Sequence, residues 1–104
     1  MIKNFKIYLI LILILSTFDS VVANDNFFEE GKKKFSEKKI EDSKFLFQRS
    51  IVFNPKNAKS YLYLAKIYKF EENQIKQLKN LNTTLLLEPK NEDAMQMLIE
   101  IQLK

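Results

Sequence analysis

Residues 53–65 read FNPKNAKSYLYLA, and residues 87–99 read LEPKNEDAMQMLI. Both contain Pro-Lys-Asn, and Pro55 and Pro89 lie 34 positions apart. Proline lacks an N–H and disfavours helical geometry in the residue before it, so a helix stops ahead of it. Asn57 and Asn91 follow two residues later, and Asn is a favoured N-cap whose side-chain oxygen accepts an orphan N–H of the next helix. Glu92 and Asp93 then fall in a first turn, where negative charge suits the helix dipole. Each X-Pro-Lys-Asn therefore reads as the end of one helix and the start of another.

The flanking segments carry helical periodicity. Ala58, Tyr61, Leu62, Leu64, Ala65 and Tyr68 recur at offsets of three and four, as do Ile75, Leu78, Leu81 and Leu85. Such spacing marks amphipathic helices and excludes the alternation of a strand. Phe27, Phe28, Gly31 and Phe35 predict a helix over residues 25–37. Ile40, Phe45, Phe47 and Ile51 predict another over 41–53, and Met95, Leu98 and Ile99 begin a last one running to the C-terminus. One glycine and two prolines in 104 residues leave few other turn signals. The expected fold is all-α, built from antiparallel helix-turn-helix repeats, with about five helices after the N-terminal leader.

That leader is Lys3 and Lys6, then nine apolar residues from Ile7 to Leu15, then a polar stretch closing on Val21-Val22-Ala23. Basic, apolar and small-residue regions in this order describe a secretory signal peptide, with cleavage predicted after Ala23. Nine helical residues cover only about 14 Å, too little to cross a hydrocarbon core of about 30 Å. Export to the periplasm or the medium is the expected localisation. Membrane contact is expected only through this segment if it is retained. The mature chain would be Asn24–Lys104, with 15 basic and 12 acidic residues. Lys32-Lys33-Lys34 and Lys38-Lys39 are the densest basic cluster, but Glu29, Glu30, Glu37, Glu41 and Asp42 stand at helical pairing distance from them. A solvated helix face is the reading, not a nucleic-acid patch.

The chain has no His, Cys or Trp. Histidine-based triads, thiolate catalysis and Cys/His zinc sites are thereby excluded. Glu29-Glu30 and Glu71-Glu72 are neighbours that diverge on a helix, and no glycine-rich loop is present to cradle phosphate. No catalytic residue, metal site or cofactor is expected, and no disulfide can reinforce so small a chain.

A helix pair with a 34-residue period resembles the tetratricopeptide repeat, and the chain as a whole resembles small exported bacterial members of that family. The resemblance implies a first repeat over 24–57, a second over 58–91, and a C-terminal helix over 92–104 as a partial third. Phe27, Gly31, Phe47 and Pro55 stand at framework places of the first repeat, and Tyr61, Leu64, Ala65, Tyr68, Leu81 and Pro89 at those of the second. Ser43 and Ser50 also match small-residue places. Glu30 and Lys34 depart from the pattern, and Gln77 stands where a small residue belongs, which should loosen that crossing.

In the family, the first helices of successive repeats line a concave groove that takes a peptide or a helix. The resemblance carries this groove onto Phe28, Lys32, Leu62, Tyr63, Lys66, Lys69 and Met97, with Glu29, Phe35, Phe70, Asp93, Gln96 and Glu100 nearby. The carboxylate clamp of chaperone-binding members is not matched at Phe28 and Tyr63. The implied function is a non-catalytic scaffold binding a protein or peptide partner in the cell envelope. An alternative is a self-associating structural component that uses its last helix, where Leu98 and Ile99 should pack inward and Met97, Ile101 and Leu103 stay partly open. A polyanion or membrane-surface binder using Lys32–Lys34, Lys38 and Lys39 is a weaker third reading.

Overall fold

A computed structural model describes residues 26–103 together with Asn4, Lys6, Ile7 and Leu9, four helical and exposed positions near the N-terminus. The predicted cleavage point at Ala23 lies outside the described residues. Five helices follow: α1 (Asn26–Ser36), α2 (Ile40–Phe53), α3 (Ala58–Phe70), α4 (Gln74–Leu87) and α5 (Glu92–Gln102). Among the described residues there is no strand, so the chain is all-α, as expected. Short turns fold each helix back on the one before it. Contacts are fullest within the pairs α1–α2 and α3–α4, with α2–α3 and α4–α5 joining them in a row.

The 34-residue period is written into the backbone hydrogen bonds. In the α1–α2 turn, the Lys39 N–H donates to the Lys34 carbonyl at 2.9 Å and Lys38 to Phe35 at 3.1 Å. In the α3–α4 turn, Asn73 donates to Tyr68 at 2.9 Å and Glu72 to Lys69 at 3.1 Å. Both are Schellman caps, and both place a non-glycine residue at positive φ: Lys38 at 63° and Glu72 at 57°. The Pro-Lys-Asn turns repeat as well. Asn57 donates to the Asn54 carbonyl and Asn91 to that of Glu88, each at 3.1 Å.

The two asparagines are not equivalent. Asn91 Oδ1 accepts from the Ala94 N–H at 2.9 Å, the expected cap. Asn57 opens α3 without any side-chain cap bond, which corrects the expectation for the first copy. The difference lies three residues upstream. Glu88 Oε2 accepts from Asn91 Nδ2 at 2.9 Å and so turns the amide oxygen toward the helix. Asn54, which offers no carboxylate, fills that place before Asn57. Asn73, which has no proline before it to announce a stop, caps α4 by accepting from the Lys76 N–H.

Two apolar clusters hold the helices. Phe47, Leu64, Ile67 and Tyr68 form the first, flanked by half-buried Phe28, Phe35 and Tyr63. Leu62, Ala65, Leu81, Ala94 and Met97 form the second, flanked by Leu85, Leu98 and Ile101. Gly31 is required where it stands: a Cβ there would lie 2.8–3.1 Å from three atoms of the Phe47 ring. The Ser50 and Ser60 hydroxyls meet at 2.9 Å, joining buried faces of α2 and α3. Phe27 and Tyr61 serve the joints instead of the deep core. Phe27 stacks on Phe53 with ring centroids 5.3 Å apart, and the Tyr61 hydroxyl donates to the Pro55 carbonyl at 3.0 Å.

Four expectations need correction. Ile75 is 83 % exposed and stands outside the buried stripe of α4. Met97 is buried and Ile99 is 54 % exposed, whereas Ile101, half-buried against the second cluster, stays partly open as expected. The inward face of α5 is therefore Ala94, Met97, Leu98 and Ile101, a stripe centred about one position earlier than expected. Gln77 is only 6 % exposed, and α3 packs on α4 as fully as α1 packs on α2. It does not loosen the crossing.

Candidate concave cleft

The first helix of each pair and α5 present one face to a common cleft. Residues three or four apart share a helix face, so α1 offers Phe28, Lys32 and Phe35, α3 offers Leu62, Tyr63, Lys66 and Lys69, and α5 offers Asp93, Met97 and Glu100. Two openings follow this face, of about 680 and 460 Å³. They share Lys66 and Asp93, so they adjoin along one face with that ion pair between them.

Its wall is aromatic. Tyr63 lies flat on the buried Phe47 ring, with centroids 4.8 Å apart and planes 13° from parallel. Phe28 and Phe35 approach Tyr63 edge-on, at 6.1 and 5.2 Å. Phe35 then reaches Phe70 at 6.4 Å. Edge-on and offset contacts of this kind fix ring orientation, so Tyr63 is held from three sides. Leu62 and Met97 belong to the buried core and reach the cleft at its floor.

Charge forms the rim. Lys32 Nζ sits 4.9 Å above the Phe28 ring and Lys66 Nζ 5.1 Å above Tyr63, within cation–π range. Both also have acidic neighbours. Lys32 pairs with Glu29 at 3.1 Å, Lys66 with Asp93 at 3.7 Å and Lys69 with Glu100 at 2.9 Å. The last two ion pairs tie α3 to α5 across the cleft.

The seven residues that the resemblance carried to the groove (Phe28, Lys32, Leu62, Tyr63, Lys66, Lys69 and Met97) all line one or other opening. The ion pairs across the cleft were not anticipated. Their partners stand 27 and 31 residues apart in sequence, and only the superposed repeat frame puts Asp93 and Glu100 opposite Lys66 and Lys69. Outside the cleft, Lys44 donates to both carboxylate oxygens of Glu71, at 2.6 and 2.9 Å. That hydrogen bond, against partial burial, raises the Lys44 amine above its ordinary value.

Among the described residues, no group of three or more acidic side chains is placed to hold a metal ion. The Tetratricopeptide repeat family model matches residues 46–83, covering the second half of α2, all of α3 and most of α4. A tetratricopeptide-like repeat motif thus occupies those residues, and helical repeats of this kind generally serve protein–protein interaction as non-catalytic scaffolds. No curated protein matches the chain.

Proposed function

We propose that this helical-repeat chain is a non-catalytic scaffold of the cell envelope that holds a peptide segment of a partner protein along the cleft of α1, α3 and α5. The observation that carries the reading is the aromatic wall fixed around Tyr63 beside the shared rim of Lys66 and Asp93. An aromatic ring fixed on three sides and flanked by Lys66 is the kind of rigid, partly desolvated anchor on which interface energy concentrates. The ion pairs at 3.7 and 2.9 Å leave donors and acceptors at the rim for main-chain groups of an extended peptide. The leader supports an envelope location, with the mature chain starting at Asn24.

Selection of a displayed peptide library on the full chain, followed by calorimetry, tests the proposal. Peptides recovered on the wild type should bind the Tyr63→Ala, Lys66→Ala variant at least about ten-fold more weakly, a loss of about 1.4 kcal/mol. Equal affinity for both proteins would remove the cleft from consideration.

Self-association is the second reading. Met95 and Ile99 of α5 and Leu103, its C-cap, recur at four-residue spacing and are exposed. A strict monomer by light scattering at high protein concentration would overturn it.

A further inference from the structure

Ser43 and Gln77 stand 34 positions apart, on equivalent faces of α2 and α4, and both are buried. Ser43 meets its own need, its hydroxyl donating to the Ile40 carbonyl at 2.8 Å. Gln77 does not. Among the described residues its side-chain amide has no hydrogen-bond partner, although it is only 6 % exposed. A buried polar group left unpaired costs about 1–3 kcal/mol, so a carboxamide in a place that a serine fills elsewhere in the chain calls for a partner.

Two smaller openings, of about 270 and 340 Å³, meet at this side chain. Both are also lined by Lys69 and Ile101. Glu72 borders the first, and Met97 and Glu100 the second. Lys69, Glu72, Met97 and Glu100 line the main cleft too, so the recess opens from its α5 end with the Lys69–Glu100 pair at the junction.

We infer that this recess takes a primary carboxamide of the bound peptide, an Asn or Gln side chain, paired edge to edge with Gln77. The inference rests on the peptide-cleft reading above. The chemistry selects the class. Gln77 offers one acceptor oxygen and two donor hydrogens, and a primary amide, whose oxygen and syn N–H share one edge, returns both kinds of bond at once. A carboxylate could use only the donors, and its attraction to Lys69 is offset by Glu72 and Glu100. An ammonium could use only the acceptor, leaving the two Gln77 donors unpaired, with Lys69 at its side. The Met97 and Ile101 side chains close on the apolar part of a neutral group.

Acetamide is the probe, titrated into the full chain and followed by NMR, with acetate as the charged control. The Gln77 side-chain NH2 resonances, assigned by their loss in Gln77→Met, should move saturably, together with the Met97 and Ile101 methyl signals. In Gln77→Met the methyl response should fall about ten-fold, the scale of two net hydrogen bonds. Gln77→Ser, which installs the first pair's residue, gives a second variant and should show the same loss. Tyr63→Ala should keep the acetamide response, which separates the recess from the peptide-binding wall. A linear shift shared equally by all Asn and Gln side chains, or methyl shifts unchanged in both variants, would mean that water alone serves Gln77 and would overturn the inference. Cleft-selected peptides that bind Gln77→Met as tightly as wild type would also overturn it, while leaving the cleft itself standing.

Discussion

The two helical hairpins share one backbone plan and fill it differently. In α1–α2 the closest approach is Gly31 against Phe47, and in α3–α4 the same places hold Ala65 and Leu81. One hairpin joins no side chain to a large ring, the other a methyl to a smaller aliphatic, so the pair volume is traded across the interface. The trade has consequences. Phe47 becomes the bed on which Tyr63 of the next hairpin lies, whereas Leu81 packs only among its own pair and α5. The first hairpin therefore beds the aromatic wall that Tyr63 completes, and the second packs with α5 to form the floor.

The largest effect expected from this contrast is at Phe47. Phe47→Ala should cost about 3–5 kcal/mol, enough to unfold a chain whose stability lies near the lower end of about 5–15 kcal/mol. Leu81→Ala should cost about 2–4 kcal/mol and leave the Tyr63 near-ultraviolet signal in place as long as the chain is folded. Urea unfolding followed by both far- and near-ultraviolet circular dichroism checks this. A Leu81→Ala protein that loses the tyrosine signal before its helix signal would erase the division of labour.

Converting one hairpin into the other gives a middle-sized effect. Gly31→Ala pushes a Cβ into a fully buried ring, at about 1–3 kcal/mol for overpacking, against about 1 kcal/mol regained in helix propensity. The net outcome should be a loss. Adding Phe47→Leu should recover part of it, since the double variant reproduces the Ala–Leu pairing already present at Ala65 and Leu81. The measurement is a double-mutant cycle. Strict additivity would show that the two positions do not share volume, and the compensation would be gone.

Smaller, and opposite in sign, are the turns. Lys38 and Glu72 hold the left-handed region in both Schellman caps, a conformation that costs an L-residue about 1–2 kcal/mol and glycine almost nothing. Lys38→Gly and Glu72→Gly should each raise stability, by about 0.5–1 kcal/mol after the unfolded chain's gain in freedom. Because the two turns make the same bonds, the gains should match. A fall in melting temperature for either would show that its side chain does more than tolerate the turn.

The proline-asparagine joints made the helix order and the repeat frame legible from residues alone, since stops and caps act through local covalent geometry. The frame also brought Phe28, Tyr63 and Lys66 to one face before any coordinates. What stayed hidden depends on neighbours. Asn57 and Asn91 look alike in sequence, yet only Asn91 caps, because Glu88 orients it. Gln77 read as a misfit by size, while its buried amide is a matter of unmet hydrogen bonding, which no spacing rule reports. The inward stripe of α5 lies about one position from the one its spacing suggests, because Leu98 and Ile99 are both strongly apolar and only packing decides between them.

The smallest expected effect lies where the hairpins meet. Lys44 on α2 grips Glu71 at the end of α3 through two short bonds and stands 5.1 Å from the Tyr68 ring centroid. A partly exposed pair of this kind contributes no more than about 1 kcal/mol. Its Lys44 amine is held above the ordinary 10.5, chiefly by the hydrogen bond to Glu71. A folded-state value above the unfolded one means that the native state keeps its proton longer. The contribution is therefore complete below about pH 10.5 and fades as pH rises through the raised folded value. Glu71→Gln should melt slightly below wild type at pH 7 in low salt, and the gap should close above that range, when Lys44 is neutral in both proteins. Other lysines and tyrosines titrate there too, so the quantity to follow is the difference between the two proteins. A gap that stays constant to high pH would assign the stabilisation to the packing of the Glu71 side chain, and the joint between the hairpins would owe nothing to charge.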